Sequence, residues 1–250
     1  MTLVNNILEY TEKIAPLATQ AQWDNSGLLV GDASTAVSKA MLCLDITDAV
    51  IDEAKNAGCE LIISHHPVIF TPLSEIPTDH IVYKLIKAEL TALCLHTNLD
   101  IAENIGVNAQ LAKALKLTDT TLYPEEFLCV GNLENEMSDN EFATYVKNAL
   151  SCKGVRYTDG KNIKIVAVSS GGGGEALLLH KKYDFDALVT GELKHHLFIY
   201  ANEQKICAVE AGHFNTEDVV ISPLCGILKE HFPDVEFIKS KTLTDPVNFI

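Results

Sequence analysis

The apolar run Leu61-Ile62-Ile63 stops abruptly at Ser64-His65-His66-Pro67. Its β-branched residues mark a short buried strand, and the proline, which has no N–H for a ladder, ends it. The strand therefore delivers two imidazoles at its carboxyl end, the edge of an open α/β sheet at which ligands bind. Neighbouring strand residues point to opposite faces, so His65 and His66 can serve one site only where the chain is already leaving the sheet. Pro67 makes that departure. The plainer alternative is a polar strand terminus that binds nothing. What separates the two is the rhythm of the rest of the chain.

Upstream, Ala40 to Leu44 reads as a second buried strand, ending in Asp45, and Thr47 caps a helix that stops at Gly58. Strand, helix, strand predicts a parallel pair with a right-handed crossover, which puts Asp45 on the same sheet edge as His65 and His66. Downstream, a loop with Pro67, Pro72 and Pro77 leads to a helix expected from Thr78 to about Leu90. The strand from Ala92 to Leu95 then runs into His96-Thr97-Asn98-Leu99-Asp100, and residues 103–116 read as a further helix. At the start, Thr2 is expected to cap a helix through Ile14, closed by Pro16. Trp23-Asp24-Asn25-Ser26-Gly27 is a polar turn into the strand Leu28-Leu29-Val30. It reads either as a plain turn with one packed tryptophan or as the rim of a site carrying Asp24 or Asn25.

The signals restart after Tyr123-Pro124. Phe127 to Val130 reads as a short strand, and Ser138 with Glu141 makes a capping box for a helix ending near Gly154. The strand Ile163 to Val168 enters Ser169-Ser170-Gly171-Gly172-Gly173-Gly174-Glu175. The strand Ala187 to Thr190 ends in Gly191-Glu192-Leu193-Lys194-His195-His196, and Ile206 to Val209 runs into Glu210-Ala211-Gly212-His213-Phe214-Asn215-Thr216-Glu217. Both halves thus read as strands alternating with helices, with a His-His pair after one strand. A later strand is followed by His-x-Asn-x-Asp (His96, Asn98, Asp100) or His-x-Asn-x-Glu (His213, Asn215, Glu217). The simplest explanation is an internal duplication: two similar α/β domains with a ligand site at facing strand ends. We place the first domain at 1–124 plus 205–250, carrying most of the ligands, and the second at 125–204.

Residue types suggest the chemistry. Neutral imidazoles with carboxylates suit zinc, iron, manganese, nickel or cobalt, and the absence of any Cys-x-x-Cys pair disfavours a structural zinc site. His65, His66, Asp100, His213 and Glu217 supply the set that two neighbouring divalent ions need, including a bridging carboxylate. Taken singly, each is as readily a solvated or core polar group. His96, His195 and His196 remain as orienting groups, substrate contacts or a general acid, or else as ordinary packing, and His96 is the best placed to move a proton. Gly171 to Gly174 either let backbone amides approach a phosphate or form a simple strand-to-helix turn, and Glu175 at that terminus opposes an anion. His80, His180 and His231 fall in helical segments and read as structural.

The 250 residues suffice for one large or two modest domains. A net charge of −15 repels nucleic-acid backbone, which argues against non-specific binding to DNA or RNA. The seven cysteines are odd in number and read as reduced thiols. The first residues lack a basic and apolar leader pattern, and no apolar run reaches membrane-spanning length, so a cytoplasmic protein is expected.

At Trp23-Asp24-Asn25-Ser26-Gly27, Leu44-Asp45-Ile46-Thr47, Ser64-His65-His66-Pro67, His96-Thr97-Asn98-Leu99-Asp100, Thr190 to His196 and Gly212 to Glu217, the chain resembles the YbgI-like proteins, known as GTP cyclohydrolase 1 type 2 homologues. The resemblance runs in order through nearly the whole chain. It implies two α/β domains, a dinuclear divalent-metal site and a toroidal homohexamer. It carries the metal ligands onto His65, His66, Asp100, His213 and Glu217, and it implies opening of the guanine ring of GTP.

The expected function is a metal-dependent hydrolase acting on a nucleotide or a related small anionic substrate, with ring opening and phosphoester hydrolysis both compatible. The alternative is a ring-shaped metal-binding regulatory or scaffold protein without catalysis. A nuclease is a third reading, disfavoured by the charge.

Overall fold

Thr47 accepts the N–H of Val50 at 3.3 Å, and Gly58, at φ +73°, closes the helix it begins, as the capping signals require. That helix joins two strands of a parallel sheet in the computed structural model, which describes residues 1–250. The chain divides into two compact units, Met1–Leu99 with Ile221–Thr244 and Asp100–Val220 with Asp245–Ile250.

In the first unit, β1 (Gly27–Val30), β2 (Lys39–Cys43), β3 (Leu61–Ser64) and β4 (Thr91–Cys94) form a five-stranded sheet with the strand Glu236–Lys239. The order across it is Glu236–Lys239, β2, β3, β4, β1. β2, β3 and β4 run parallel, with Cys43 opposite Ser64 and Ser64 opposite Cys94, so all three end level. β1 lies antiparallel on β4, with Gly27 opposite Cys94. Every residue of β3 and β4 is buried, which is why they read as unbroken apolar runs rather than alternating ones. Helices α1 (Val4–Ile14), α2 (Asp48–Ala57) and α3 (Ile81–Lys87) belong to this unit. Val50, Ile51 and Ala54 of α2 and Val82 and Leu85 of α3 pack with Met41, Ile62 and Ala92 of the sheet.

Two helix starts differ from expectation. Thr2 does not cap α1: Thr2–Leu3 pairs as a short antiparallel strand with Ala36–Val37, and the Thr2 hydroxyl donates to Asp234 at 2.8 Å. The N–H of Leu3 is taken instead by Asn6 Oδ1 at 2.9 Å. At α3 the cap is His80, whose Nδ1 accepts from the N–H of Val82 at 3.2 Å, not Thr78.

The second unit carries β5 (Thr118–Tyr123), β6 (Leu128–Met137), β7 (Arg156–Tyr157), β8 (Ile163–Ser169), β9 (Ala187–Thr190) and β10 (Cys207–Glu210) in the order β5-β6-β8-β9-β10-β7. β8, β9 and β10 are parallel and end level at Ser169, Thr190 and Glu210. In the chain, α4 (Thr97–Asp100) follows β4, and α5 (Val107–Ala114), α6 (Asp139–Ala149), α7 (His195–Gln204) and α8 (His213–Glu217) come after it. The expected capping box is present at α6, where Ser138 N–H and hydroxyl donate to Glu141 at 2.9 and 2.7 Å. Period-two burial divides the strand side chains. Val166, Val168 and Val189 pack with Phe142 and Val146 of α6, while Ala167 and Leu188 pack with Leu197 and Ala201 of α7.

The duplication is visible in the topology. Each unit has three parallel strands in sequence order, and each has an antiparallel edge strand, β1 or β7, drawn from the segment before them and laid on the third. The unit boundaries, however, are not 1–124 plus 205–250 and 125–204. β5 pairs with β6, and β10 lies between β9 and β7, so leaving either with the first unit would open the six-stranded sheet. The chain returns to the first unit only at Ile221, to supply the strand that pairs parallel to β2.

All seven cysteines are free thiols, six of them buried. Burial pushes the Cys207 thiol up to about 12 and that of Cys129 to about 11, so these are packing residues rather than nucleophiles. No helix is long and apolar enough to cross a membrane.

Candidate metal centre

In the first unit, three level strand ends build a histidine cluster. β3 ends at Ser64, and the N–H groups of His65 and His66 go on to the carbonyls of Cys43 and Leu44 at 3.1 and 2.9 Å. The Ser64 hydroxyl donates to the His66 carbonyl at 2.8 Å, and the Cys94 thiol to the His65 carbonyl at 3.0 Å. The backbone of the pair is thereby fixed as it leaves the sheet.

The rings are fixed as well. His65, 1% exposed, donates from Nδ1 to the Leu95 carbonyl at 2.9 Å. His66 Nδ1 meets Asp45 Oδ1 at 2.7 Å, so Asp45 does lie on the edge where the strand-helix-strand reading put it. His96, two residues beyond β4, meets Asp24 Oδ1 through Nδ1 at 2.7 Å. A carbonyl or an ionised carboxylate only accepts, so each Nδ1 carries a proton, and in the neutral ring it is Nε2 that carries the lone pair. The ring centroids are 5.1, 5.2 and 5.6 Å apart, and one ligand atom from each of the three lies within 4.8 Å of the others. Three imidazoles whose second nitrogens are held by oxygen acceptors match the way metal-ligating histidines are oriented.

Asp24 comes from the turn before β1, and its side chain is 0% exposed. It accepts from the Asn25 N–H at 2.7 Å, the Thr97 N–H at 3.0 Å and the Thr97 hydroxyl, besides His96. Burial raises this carboxyl, but the hydrogen bonds from His96, Thr97 and the Asn25 N–H outweigh it and hold Asp24 well below the usual carboxylate range. The turn around it is braced too. Ser26 Oγ reaches Asn98 Oδ1 at 2.9 Å, and Asn98 donates to the Ala15 carbonyl at 2.7 Å. The turn thus places Asp24 against His96 and Thr97. Trp23 is not packed but 60% exposed.

Asp100 is half-buried and closes α4. The helix expected over 103–116 spans only Val107–Ala114, starting from Gly106.

In the second unit, β10 leads through Ala211-Gly212 into α8, whose first and last residues are His213 and Glu217. Their spacing brings His213 Nε2 to 3.0 Å from Glu217 Oε2, and Glu217 is buried. His213 Nδ1 meets Glu192 Oε1 at 2.8 Å. Gly171, at φ +54°, passes directly over this pair. A Cβ there would strike Glu217 Oε1, lie 2.9 Å from its Cδ and come within 3.1 Å of His213 Nε2. The close approach is locked by the Gly171 N–H to Thr216 Oγ1 at 3.1 Å and the Glu192 N–H to the Gly171 carbonyl at 2.8 Å. The glycine run thus serves, at Gly171, to make room for a carboxylate, while Gly173 opens a short 3-10 helix to Leu179.

His195 and His196 are exposed at the start of α7, away from this pair's hydrogen bonds. The residues that follow β9 as His65-His66 follow β3 are Gly191-Glu192. Matching the halves by their His-His dipeptides therefore slips by four residues. Glu192 was overlooked for that reason, although a carboxylate just past a buried strand is the same signal that marked Asp45. His80 as a cap, His180 against the Leu177 carbonyl at 3.2 Å and His231 stacked on Tyr10 at 3.7 Å are structural, as expected.

Chain comparisons agree with this architecture. A family model described as Duf34/NIF3 (NGG1p interacting factor 3) matches residues 2–246. A protein of Clostridium perfringens named GTP cyclohydrolase 1 type 2 homolog is 34% identical over 261 residues, covering 99% of each chain. The crystal structure of Staphylococcus aureus protein SA1388 superposes with a TM-score of 0.92 at 25% identity, over 100% of this chain and 99% of that one. A solved structure of protein ybgI, 23% identical, shares the fold with a TM-score of 0.87 over 98% of this chain and 100% of its own.

Proposed function

We propose, from the premise that this chain belongs to the Duf34/NIF3 family, that it is a metal-dependent hydrolase with a dinuclear divalent-metal site acting on a nucleotide or related small anionic substrate. The observation that carries the proposal is the histidine cluster: His65, His66 and His96, each with Nδ1 held by an oxygen and ligand atoms within 4.8 Å. Buried histidine, aspartate and glutamate groups of this kind could hold metal ions, and the donor set of imidazole and carboxylate fits zinc, iron, manganese, nickel or cobalt. The relatives' name, GTP cyclohydrolase 1 type 2 homolog, supports a nucleotide as the first substrate to test.

The proposed ligands are His65, His66, Asp100, His213 and Glu217. Bound ions would supply Lewis acidity for hydrolysis at an anionic centre. The remaining roles fall to the chain itself. His96 offers Nε2 to take and return a proton, while Asp24 fixes its tautomer and faces the ring in either protonation state. Asp45 and Glu192 orient His66 and His213 in the same way. Gly171 keeps the space that the Glu217 carboxylate fills. A homohexamer in the cytoplasm completes the proposal.

The test is turnover of GTP by metal-loaded protein, followed as loss of the guanine chromophore and as phosphate release, beside His96→Gln at equal metal content. Turnover that falls about a hundredfold in the variant supports the reading. No turnover of GTP or of a phosphoester panel by the fully loaded wild-type protein would overturn it in favour of a non-catalytic metal protein.

A further inference from the structure

Trp23 is the only tryptophan of the chain, and it is 60% exposed; Phe70, from the loop after β3, is 50% exposed. Their rings touch, with centroids 5.7 Å apart at 35°. Both also stand edge-on to the His96 imidazole, at 6.1 Å and 72° for Trp23 and 6.2 Å and 69° for Phe70. The arrangement is held by hydrogen bonds and not left to chance. Asn25 Nδ2 donates to the Ile69 carbonyl at 2.6 Å, tying the segment of Trp23 to that of Phe70. Asp24, next to Trp23, is the partner of His96. The same turn that sets the histidine tautomer therefore sets the aromatic pair.

Open aromatic surface beside a cluster of polar nitrogens suits a ligand with a flat apolar face and a polar end. The net charge of −15 repels an anion at a distance, so binding of one gains from a contact that is indifferent to charge, and stacking is such a contact.

We propose that Trp23 and Phe70 form a stacking platform for a planar heteroaromatic ring, which carries the anionic part of the ligand toward His65, His66 and His96. The proposal deepens the hydrolase reading and rests on it for the anionic part alone; the platform itself requires only a ring.

Because Trp23 is the sole tryptophan, its fluorescence reports on this one place. Guanosine, GTP and inorganic triphosphate are titrated into the full-length protein, with calorimetry in parallel on Trp23→Leu and Phe70→Leu and sedimentation velocity on all three proteins. The expected result is quenching by guanosine and GTP but not by triphosphate. In addition, each variant binds both rings about tenfold more weakly, the loss of one stacking partner, with its assembly state unchanged. GTP binding that neither quenches Trp23 nor weakens in either variant would overturn the platform while leaving the hydrolase reading intact. Guanosine quenching in a protein that turns over no GTP would support the platform and count against the hydrolase. An absence of guanosine binding to the wild-type protein, or variants that change assembly without changing ring affinity, would overturn the platform, the second showing a contact between copies of the chain.

Discussion

His96 Nδ1 lies 2.7 Å from Asp24 Oδ1, a pair separated by 72 positions in the chain and closed off from water on the carboxylate side. One prediction concerns that carboxylate. Asp24→Asn keeps the shape but removes the charge and leaves an amide N–H where acceptors are needed by Thr97 and His96. The variant is expected to lose about 2 kcal/mol of stability, the cost of breaking charged hydrogen bonds, and to lower turnover with metal content preserved. Denaturant melts and metal analysis check it. A variant with wild-type stability and rate would show that the pair orients nothing.

A second prediction concerns Gly171. Alanine there meets Glu217 directly and must also adopt φ +54°, so both packing and backbone oppose it. Gly171→Ala is expected to cost about 1–3 kcal/mol and to displace Glu217, reducing bound metal. Gly172→Ala, where the added Cβ meets nothing within 4 Å, is the control and is expected to keep its metal. Equal metal content in the two variants would contradict the cradle.

A third prediction is a pH dependence far from the histidines. Glu53 of α2 accepts from the Ser240 hydroxyl at 2.6 Å, the Lys241 N–H at 2.9 Å and the Thr242 hydroxyl at 2.8 Å. Burial raises its carboxyl, yet these donors outweigh burial and bring it from 4.5 down to about 2. A carboxyl depressed on folding adds stability that is fully present above its unfolded value of 4.5 and is lost as pH falls toward about 2. Glu53→Gln is therefore expected to be less stable than wild type at neutral pH by about 1 kcal/mol, with the gap closing across that acid window. Chemical denaturation at stepped pH measures it, and a gap that persists unchanged through the window would contradict the role given to the charge.

Much of this was legible in the chain. Unbroken apolar runs such as Leu61 to Ile63 announced buried parallel strands, and Thr47, Gly58, Ser138 and Glu141 marked helix ends by local hydrogen-bond chemistry that needs no tertiary partner. That Asp45 shares the sheet edge of His66 followed from the parallel pairing a strand-helix-strand unit implies. What failed depended on distant partners. Thr2 is an acceptable cap locally, but a strand partner at Ala36–Val37 and the carboxylate of Asp234 claim it. The place of β10 in the second sheet was hidden because its apolar sequence fits either sheet, and only pairing decides. The role of Gly171 stayed open between a phosphate approach and a simple turn, because a glycine run does not say whether its space serves a ligand or, as here, the Glu217 side chain.

The most direct test of the central claim is metal content per chain in the purified protein, set beside His65→Ala and Glu217→Ala. The account predicts about two divalent ions per chain, lost from both variants. Less than about half an ion per chain, unchanged in either variant and not restored by added metal, would contradict it.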